Sequence, residues 1–133
     1  MPHDPGICHR ALVVEDDPAI RRLVEKLLQR RGIVIDSAHD GKQAIEKIDT
    51  GEFSVVILDL MLPKVNGYEV IAYIKSRGLR LPVVVVSAVS QQALSRLDHD
   101  IVKLVISKPF DVNEFTEGIA SLCGETVPPR TQA

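Results

Sequence analysis

The sequence predicts an α/β fold, an open five-stranded parallel sheet with helices on both faces. Short apolar, β-branched segments alternate with helical patterns from one end of the chain to the other. Five such β–α units indicate parallel strands, because parallel neighbours are joined by right-handed helical crossovers. The chain has 133 residues, of which 45% are hydrophobic, so one domain with a buried core is expected.

The predicted strands are short and apolar on both faces, as expected for strands buried between two helix layers. They are Ala11–Val14, Ile33–Ile35, Val55–Leu58, Val83–Val86 and Leu104–Ile106. We expect the doubly wound strand order 2-1-3-4-5, in which the first and third strands are neighbours. Ligands of such sheets bind beyond the carboxyl ends of the strands, so candidate functional residues are sought there.

The first predicted helix begins at Pro18, with Asp17 as its N-cap, and ends at Gly32. Residues at helical spacing form one buried face. They are Ile20, Leu23, Val24, Leu27 and Leu28.

Capping residues and glycines bound three further helices, at Asp40–Gly51, Gly67–Gly78 and Asp111–Gly124. The fourth helix of the series, Ser90–Leu97, contains few apolar residues, and we expect it to be short or mobile. The fold class is therefore five strands with five helices.

The domain is expected to span residues 10–124, with tails at residues 1–9 and 125–133, the second of which could begin a linker. A net charge of −2 argues against binding nucleic acid through this domain. No apolar segment approaches membrane-spanning length, and residues 1–9 lack the pattern of a signal peptide, so a cytoplasmic location is expected. Cys8 and Cys123 could both lie near the amino edge of the sheet, but we expect free thiols rather than a bridge.

Acidic residues follow two strands that the predicted order makes neighbours. Glu15, Asp16 and Asp17 come after the first strand, and Asp59 follows the third. Crowded carboxylates repel one another, and one of them would stay protonated unless a cation joined them. Oxygen ligands in an incomplete protein cage are typical of Mg²⁺. Taken alone, Asp17 is a helix cap and an acidic pair in a loop is an ordinary solvated feature.

Ser87 and Lys108 end the fourth and fifth strands, on the far side of Asp59. A hydroxyl and an ammonium group opposite a metal-binding carboxylate would form a site for a phosphoryl group carried by that carboxylate. Each residue alone would be unremarkable, as a strand-end hydroxyl and a surface lysine. The combination indicates phosphoryl chemistry at Asp59.

Four motifs follow one another along the chain, Leu12–Pro18, Val56–Pro63 with Asn66-Gly67, Pro82–Ala88, and Ser107–Phe110. In this order they resemble the receiver domains of two-component response regulators, over about residues 10–123. The resemblance implies a flavodoxin-like (βα)5 fold and a signalling domain that is not an enzyme, beyond catalysing its own phosphorylation and dephosphorylation. It implies transfer of a phosphoryl group from a histidine kinase phosphohistidine, with conformational control of a downstream partner or output domain.

The resemblance also assigns roles to residues. Asp59 would be the phosphoacceptor, Ser87 the switch hydroxyl and Lys108 the family lysine, with a cis peptide bond to Pro109. Mg²⁺ would be bound by Asp16, Asp59 and the backbone carbonyl of Met61, and by Glu15 through water. The implied partners are a sensor histidine kinase or phosphotransfer protein and an unknown output partner or missing output domain. The implied oligomeric state is a monomer or a phosphorylation-dependent dimer.

Departures from the family pattern affect signal output. Val105 stands where the family usually has an aromatic switch residue, Ile101-Val102 replaces a common Gly-Ala, and the Ser87–Lys108 segment is about one residue short. Met61 and Val89 flank the expected path of the attacking water, and because both are apolar we expect the phosphorylated form to persist.

Three other functions are each compatible with part of the sequence. A phosphatase with an aspartyl-phosphate intermediate would place its nucleophile at Glu15 and a second acid at Asp17, but the nucleophile would be glutamate. A nucleotide-binding module lacks its glycine-rich loop. A degenerate receiver that serves only as a protein-binding scaffold gains support from Val105, although all five polar site residues are present.

Overall fold

The computed structural model describes residues 8–88, 92 and 95–123. These residues contain five strands, β1 (Arg10–Val14), β2 (Val34–Ala38), β3 (Val55–Leu58), β4 (Val83–Ser87) and β5 (Val102–Ser107). Four helices are described with them, α1 (Pro18–Gln29), α2 (Gly41–Thr50), α3 (Gly67–Ser76) and α4 (Val112–Cys123). Half of the residues of the predicted helix at Ser90–Leu97 (90, 91, 93 and 94) lie outside the described ranges.

The strands form one parallel sheet of order β2-β1-β3-β4-β5, which confirms the predicted order. β1 is central to the site, because it pairs with β2 on one side and β3 on the other. Val14 lies opposite Leu58, so both strands end at the same level. The order of connections reverses between β1 and β3, and the residues after these strands therefore lie at the switch point.

Alternation along the strands divides the core into two layers. Leu12, Val14, Val56 and Leu58 face the layer formed with α2 and α3, and the intervening residues of β1 and β3 face the layer formed with α1 and α4. This arrangement covers both faces of the central strands, as the apolar sequence of β1 and β3 predicts.

The edge strands β2 and β5 are more exposed than expected from the prediction that every strand is buried on both faces. β2 has only one buried residue, Ala38, and Val34 is 63% exposed. β2 pairs only on its β1 side in the sheet, so an apolar segment at this place is not surrounded. Leu23, predicted to lie on the buried face of α1, is 38% exposed because that face is narrower than the apolar pattern.

Helix boundaries follow the predicted caps. The Asp17 carboxylate accepts hydrogen bonds from the amides of Ala19 and Ile20, and Asp40 accepts from the Gln43 amide. At the start of α3, Asn66 and Glu69 form a reciprocal capping box that was not among the predicted caps. These caps satisfy amide groups that have no partner within the helix.

Cys8 and Cys123 form a disulfide, so the predicted free thiols are wrong. Cys8 lies two residues before the start of β1, and Cys123 is the last residue of α4. In a β–α repeat every helix returns the chain to the amino edge of the sheet, which brings the two Cα atoms to 5.1 Å across a sequence separation of 115 residues. Within the described ranges, no helix is both long and apolar enough to cross a membrane.

Candidate functional site

An acidic cluster lies at the switch point. Glu15 and Asp59 follow β1 and β3 and are almost fully buried, whereas Asp16 is exposed. One carboxylate oxygen from each of Glu15, Asp16 and Asp59 lies within 4.8 Å of the other two. The Asp59 amide donates to the Val14 carbonyl at 3.1 Å, which fixes the end of β3 against β1.

Lys108 links two of these carboxylates. Its Nζ lies 3.0 Å from Glu15 Oε1 and 3.1 Å from Asp59 Oδ2. The Lys108 amide donates to the Ser87 carbonyl at 3.0 Å, so the end of β5 is registered with that of β4. The Lys108–Pro109 peptide bond is cis, in agreement with what the family resemblance implies.

The other carboxylate oxygen of Asp59, Oδ1, accepts hydrogen bonds from groups on the side away from Lys108. Ser87 Oγ donates to Asp59 Oδ1 at 3.0 Å, and the Met61 amide donates to the same atom at 3.0 Å. Ser87 is fully buried. The Asp59 carboxylate is thus held in one orientation by a hydroxyl, an amide and an ammonium group, each from a different part of the chain.

Burial raises the pKa of Glu15 to about 7. The hydrogen bond from Lys108 works in the opposite direction, while the charge of Asp59 adds to the increase. Burial alone would lower the pKa of Lys108, but its bonds to Glu15 and Asp59 outweigh that effect and raise the pKa. Lys108 is therefore cationic, and Glu15 can hold a proton near neutral pH.

The loop after Asp59 packs closely against the start of α3. The Gly67 amide donates to the Leu60 carbonyl at 3.0 Å. A Cβ atom at Gly67 would lie 2.6 Å from the Leu60 Cα atom and 2.7 Å from the Asp59 carbonyl oxygen, closer than real Cβ atoms approach. The sequence pattern marks Gly67 only as the start of a helix and does not reveal that this residue admits the loop.

The donor set fits a hard divalent cation. Carboxylate oxygens from Glu15, Asp16 and Asp59 converge without a thiol or imidazole, and an incomplete oxygen cage is what Mg²⁺ accepts in proteins. A bound cation would also relieve the repulsion that, with burial, raises the Glu15 pKa.

The structure brings together the five polar side chains that the sequence analysis selected. Met61 contributes its amide, and its side chain is 62% exposed beside the site. Val89, the other residue of the predicted water path, lies outside the described residues. Arg21 was not selected, although Nη1 of Arg21 donates to the Glu15 carbonyl at 2.9 Å. A long cationic side chain one turn into the helix after an acidic pair is the signal that would have pointed to it.

The model of the response regulator receiver domain family matches residues 11–120 of the chain. This chain belongs to the response regulator receiver domain family. The match covers β1 through most of α4 and therefore includes every residue of the site.

Characterised relatives of this receiver domain are regulatory proteins. It is 37% identical to the transcriptional regulatory protein DltR of Streptococcus agalactiae over 107 residues, which cover 79% of this chain and 47% of DltR. It is 31% identical to the transcriptional regulatory protein TcrA of Mycobacterium tuberculosis over 115 residues, 85% of this chain and 45% of TcrA. The receiver domain thus spans about half the length of these relatives.

Solved receiver structures share the fold. The response regulator TrrA of Thermotoga maritima, solved in complex with Mg²⁺-BeF, matches with a TM-score of 0.76 and 32% identity over 86% of this chain and 98% of TrrA. A Francisella response regulator receiver domain matches with a TM-score of 0.80 and 25% identity over 89% of this chain and 98% of that one.

Proposed function

We propose that this receiver domain accepts a phosphoryl group on Asp59 from a phosphohistidine of a sensor histidine kinase or phosphotransfer protein. The observation that carries the proposal is the environment of the Asp59 carboxylate. It is buried, lies beside two other carboxylates and is held at both oxygens by Lys108, Ser87 and the Met61 amide. A reacting group fixed in advance lowers the entropic cost of reaching the transition state.

The transfer joins one oxygen of Asp59 to phosphorus while the bond from phosphorus to the donor nitrogen breaks. The imidazole leaves as a neutral group after taking a proton, and the product is an acyl phosphate. Lys108, already bonded to Asp59, supplies positive charge next to the developing phosphoryl oxygens. Ser87 supplies a hydroxyl donor to the phosphoryl group once Asp59 Oδ1 changes its partners.

Asp16 and Asp59 would hold Mg²⁺ directly with the Met61 carbonyl, and Glu15 would contact it through water. When bound, the cation neutralises charge on the transferring phosphoryl oxygens. The Mg²⁺-BeF complex of the related TrrA supports this assignment. The exposure of Asp16 leaves the cation accessible from solvent.

The phosphorylated domain would act on a separate output partner or an output domain. The transcriptional regulators DltR and TcrA extend beyond the matched region, which supports an output domain in the same chain. We place this receiver in the cytoplasm, without contact of its own with nucleic acid or membrane, as a monomer or a phosphorylation-dependent dimer. It would act as a signalling domain and not as an enzyme on another substrate.

Intact-mass analysis after treatment with a small acyl phosphate tests the proposal. The wild-type chain should gain one phosphoryl group in the presence of Mg²⁺ and little after chelation. Asp59→Asn, which is nearly isosteric, should gain none while keeping the same melting behaviour. Equal labelling of the Asn variant would contradict the assignment of Asp59.

A second candidate function is a scaffold that binds partners without phosphorylation, and Val105 is the observation that favours it. Val105 lies in β5 opposite Val85, and its half-buried side chain packs against the core. It offers no aromatic ring that could change rotamer. Absence of any Mg²⁺-dependent mass increase in the wild-type chain would favour the scaffold.

A further inference from the structure

Arg21 contacts the acidic turn of the site from α1. Its Nη1 donates to the Glu15 carbonyl oxygen at 2.9 Å, and its backbone amide donates to the Asp17 carbonyl at 2.9 Å. Arg21 therefore bonds to the residue before Asp16 and to the residue after it. The side chain is half-buried, so solvent competes weakly for this hydrogen bond.

The rest of the turn is fixed by its neighbours. The Glu15 amide donates to the Ala38 carbonyl at 3.1 Å, and the Asp17 amide donates to Glu15 Oε2 at 3.2 Å. With the Arg21 bond included, the peptide planes on both sides of Glu15 have a partner. The backbone at Asp16 sets the position of the Cβ atom of this exposed residue and the rotamers open to it, and so the directions that its carboxylate can take.

We propose that Arg21 is a positioning residue for divalent-cation binding, because its guanidinium holds the Glu15–Asp16 peptide so that the Asp16 carboxylate faces Asp59. This inference rests on the proposed function, since it concerns the same cation. Mg²⁺ requires near-octahedral geometry at short distances, and a rotated peptide would move one of its few protein ligands. Partners that orient ligands in this way are worth about 10- to 100-fold in metal affinity.

The positive charge of Arg21 and its hydrogen bond to Glu15 have opposite effects on the affinity for a divalent cation. The guanidinium contacts the acidic turn and carries a positive charge that repels a divalent cation, so removal of that charge alone would strengthen cation binding. Loss of the hydrogen bond would weaken cation binding. The sign of the change in affinity therefore separates a positioning role from an electrostatic one.

The test measures the dissociation constant of Mg²⁺ by calorimetry for the wild-type chain, Arg21→Gln, Arg21→Lys and Arg22→Gln. Arg22 is the neighbouring exposed arginine and serves as the control, since its removal changes the net charge equally. We expect Arg21→Gln to bind Mg²⁺ about tenfold more weakly. Arg22→Gln should bind as tightly as the wild type or slightly more tightly, and Arg21→Lys should fall between wild type and Arg21→Gln.

A second readout uses the metal-free protein and does not depend on the folding of Arg21→Gln. The backbone amide NMR signals of Asp16 and Asp17 should shift in Arg21→Lys and stay in place in Arg22→Lys. Unchanged Asp16 and Asp17 signals, or Mg²⁺ affinity in Arg21→Gln equal to or tighter than wild type, would overturn the positioning role while leaving the proposed function intact. A wild-type chain that binds no Mg²⁺ would overturn both.

Discussion

Glu15 shows how burial and neighbouring charge set the chemistry of a single residue. Its carboxyl group is shared between Lys108 and the Asp17 amide, yet burial raises its pKa to about 7. Between its ordinary pKa of 4.5 and about 7, the native state holds a proton that the unfolded chain has lost. In the metal-free protein this contribution to stability is complete below pH 4.5 and is lost as the pH rises towards 7.

The same pKa predicts how cation binding depends on pH. A bound cation favours the deprotonated carboxylate, so Mg²⁺ affinity should rise about tenfold between pH 6 and pH 8 and level off above the Glu15 pKa of about 7. Calorimetric titrations across this range measure the effect, and Glu15→Gln is the control. The Gln variant should show a much flatter profile, and an unchanged slope in that variant would assign the proton to another group.

Ser87 is expected to control the structural response to phosphorylation more than phosphorylation itself. Ser87→Ala removes one donor to Asp59 Oδ1 but leaves the Met61 amide on the same atom. The variant should still be labelled, whereas the amide NMR shifts that phosphorylation produces after β4 should be much smaller than in the wild type. Ser76→Ala, at the distant end of α3, is the matched control. Equal shifts in wild type and Ser87→Ala would contradict the switch role.

At the scale of elements, the loop after Asp59 (residues 60–66) is held between the starts of two helices. Gly67 of α3 admits the backbone at Leu60, and Gly41 of α2 approaches the other end of the loop, where a Cβ atom would lie 1.7 Å from the Val65 carbonyl oxygen. Lys64 between them has a φ of 62° and its ammonium group lies 3.6 Å from the buried Asp40 carboxylate. The position of this loop therefore depends on Gly41 at the start of α2 and on Gly67 at the start of α3.

Gly41→Ala should lower the free energy of unfolding by about 2 kcal/mol or more, because its Cβ atom meets backbone that cannot move without displacing the loop. Gly78→Ala provides the control. A Cβ atom there meets nothing within 4 Å, and the expected cost of about 1 kcal/mol comes from the left-handed backbone alone. Urea denaturation measures both values, and a smaller loss for Gly41→Ala than for Gly78→Ala would contradict the packing account.

The sequence predicts best those elements whose apolar pattern matches the extent to which neighbouring strands and helices bury them. β1 and β3 are apolar on both faces and have a neighbour on each side, so composition and burial agree. β2 and Leu23 of α1 were predicted to be more buried than they are, because an apolar pattern does not tell an edge from a centre. The site residues were predictable because parallel strands end at one edge, whereas the Arg21 contact depends on a side-chain reach that spacing does not specify.

For the whole molecule, the Cys8–Cys123 disulfide joins the start of β1 to the end of α4. Disulfides are rare in reducing compartments, and for that reason the sequence alone favours free thiols. The expected strand order brought both residues to the amino edge, but whether the two Cα atoms come within bonding range depends on where α4 ends. Length and composition do not determine that distance.

The disulfide should make the stability of the domain sensitive to reductant. In the chain-entropy model, a bridge that closes a loop of about 100 residues contributes about 4–5 kcal/mol to the free energy of unfolding. The melting temperature of the oxidised protein should therefore fall clearly on addition of reductant. Cys8→Ser should melt at the reduced temperature under both conditions. A wild-type melting temperature that ignores reductant would contradict a stabilising bridge.

The most direct test of the central claim is chemical mapping of the phosphorylated residue. Borohydride reduces an aspartyl phosphate to homoserine, which leaves a permanent mark that peptide mass spectrometry can locate. After treatment with an acyl phosphate and Mg²⁺, we predict homoserine at position 59 and at no other aspartate. Homoserine at Asp16 or Asp17, or a phosphoryl group found on a serine or histidine, would contradict the account.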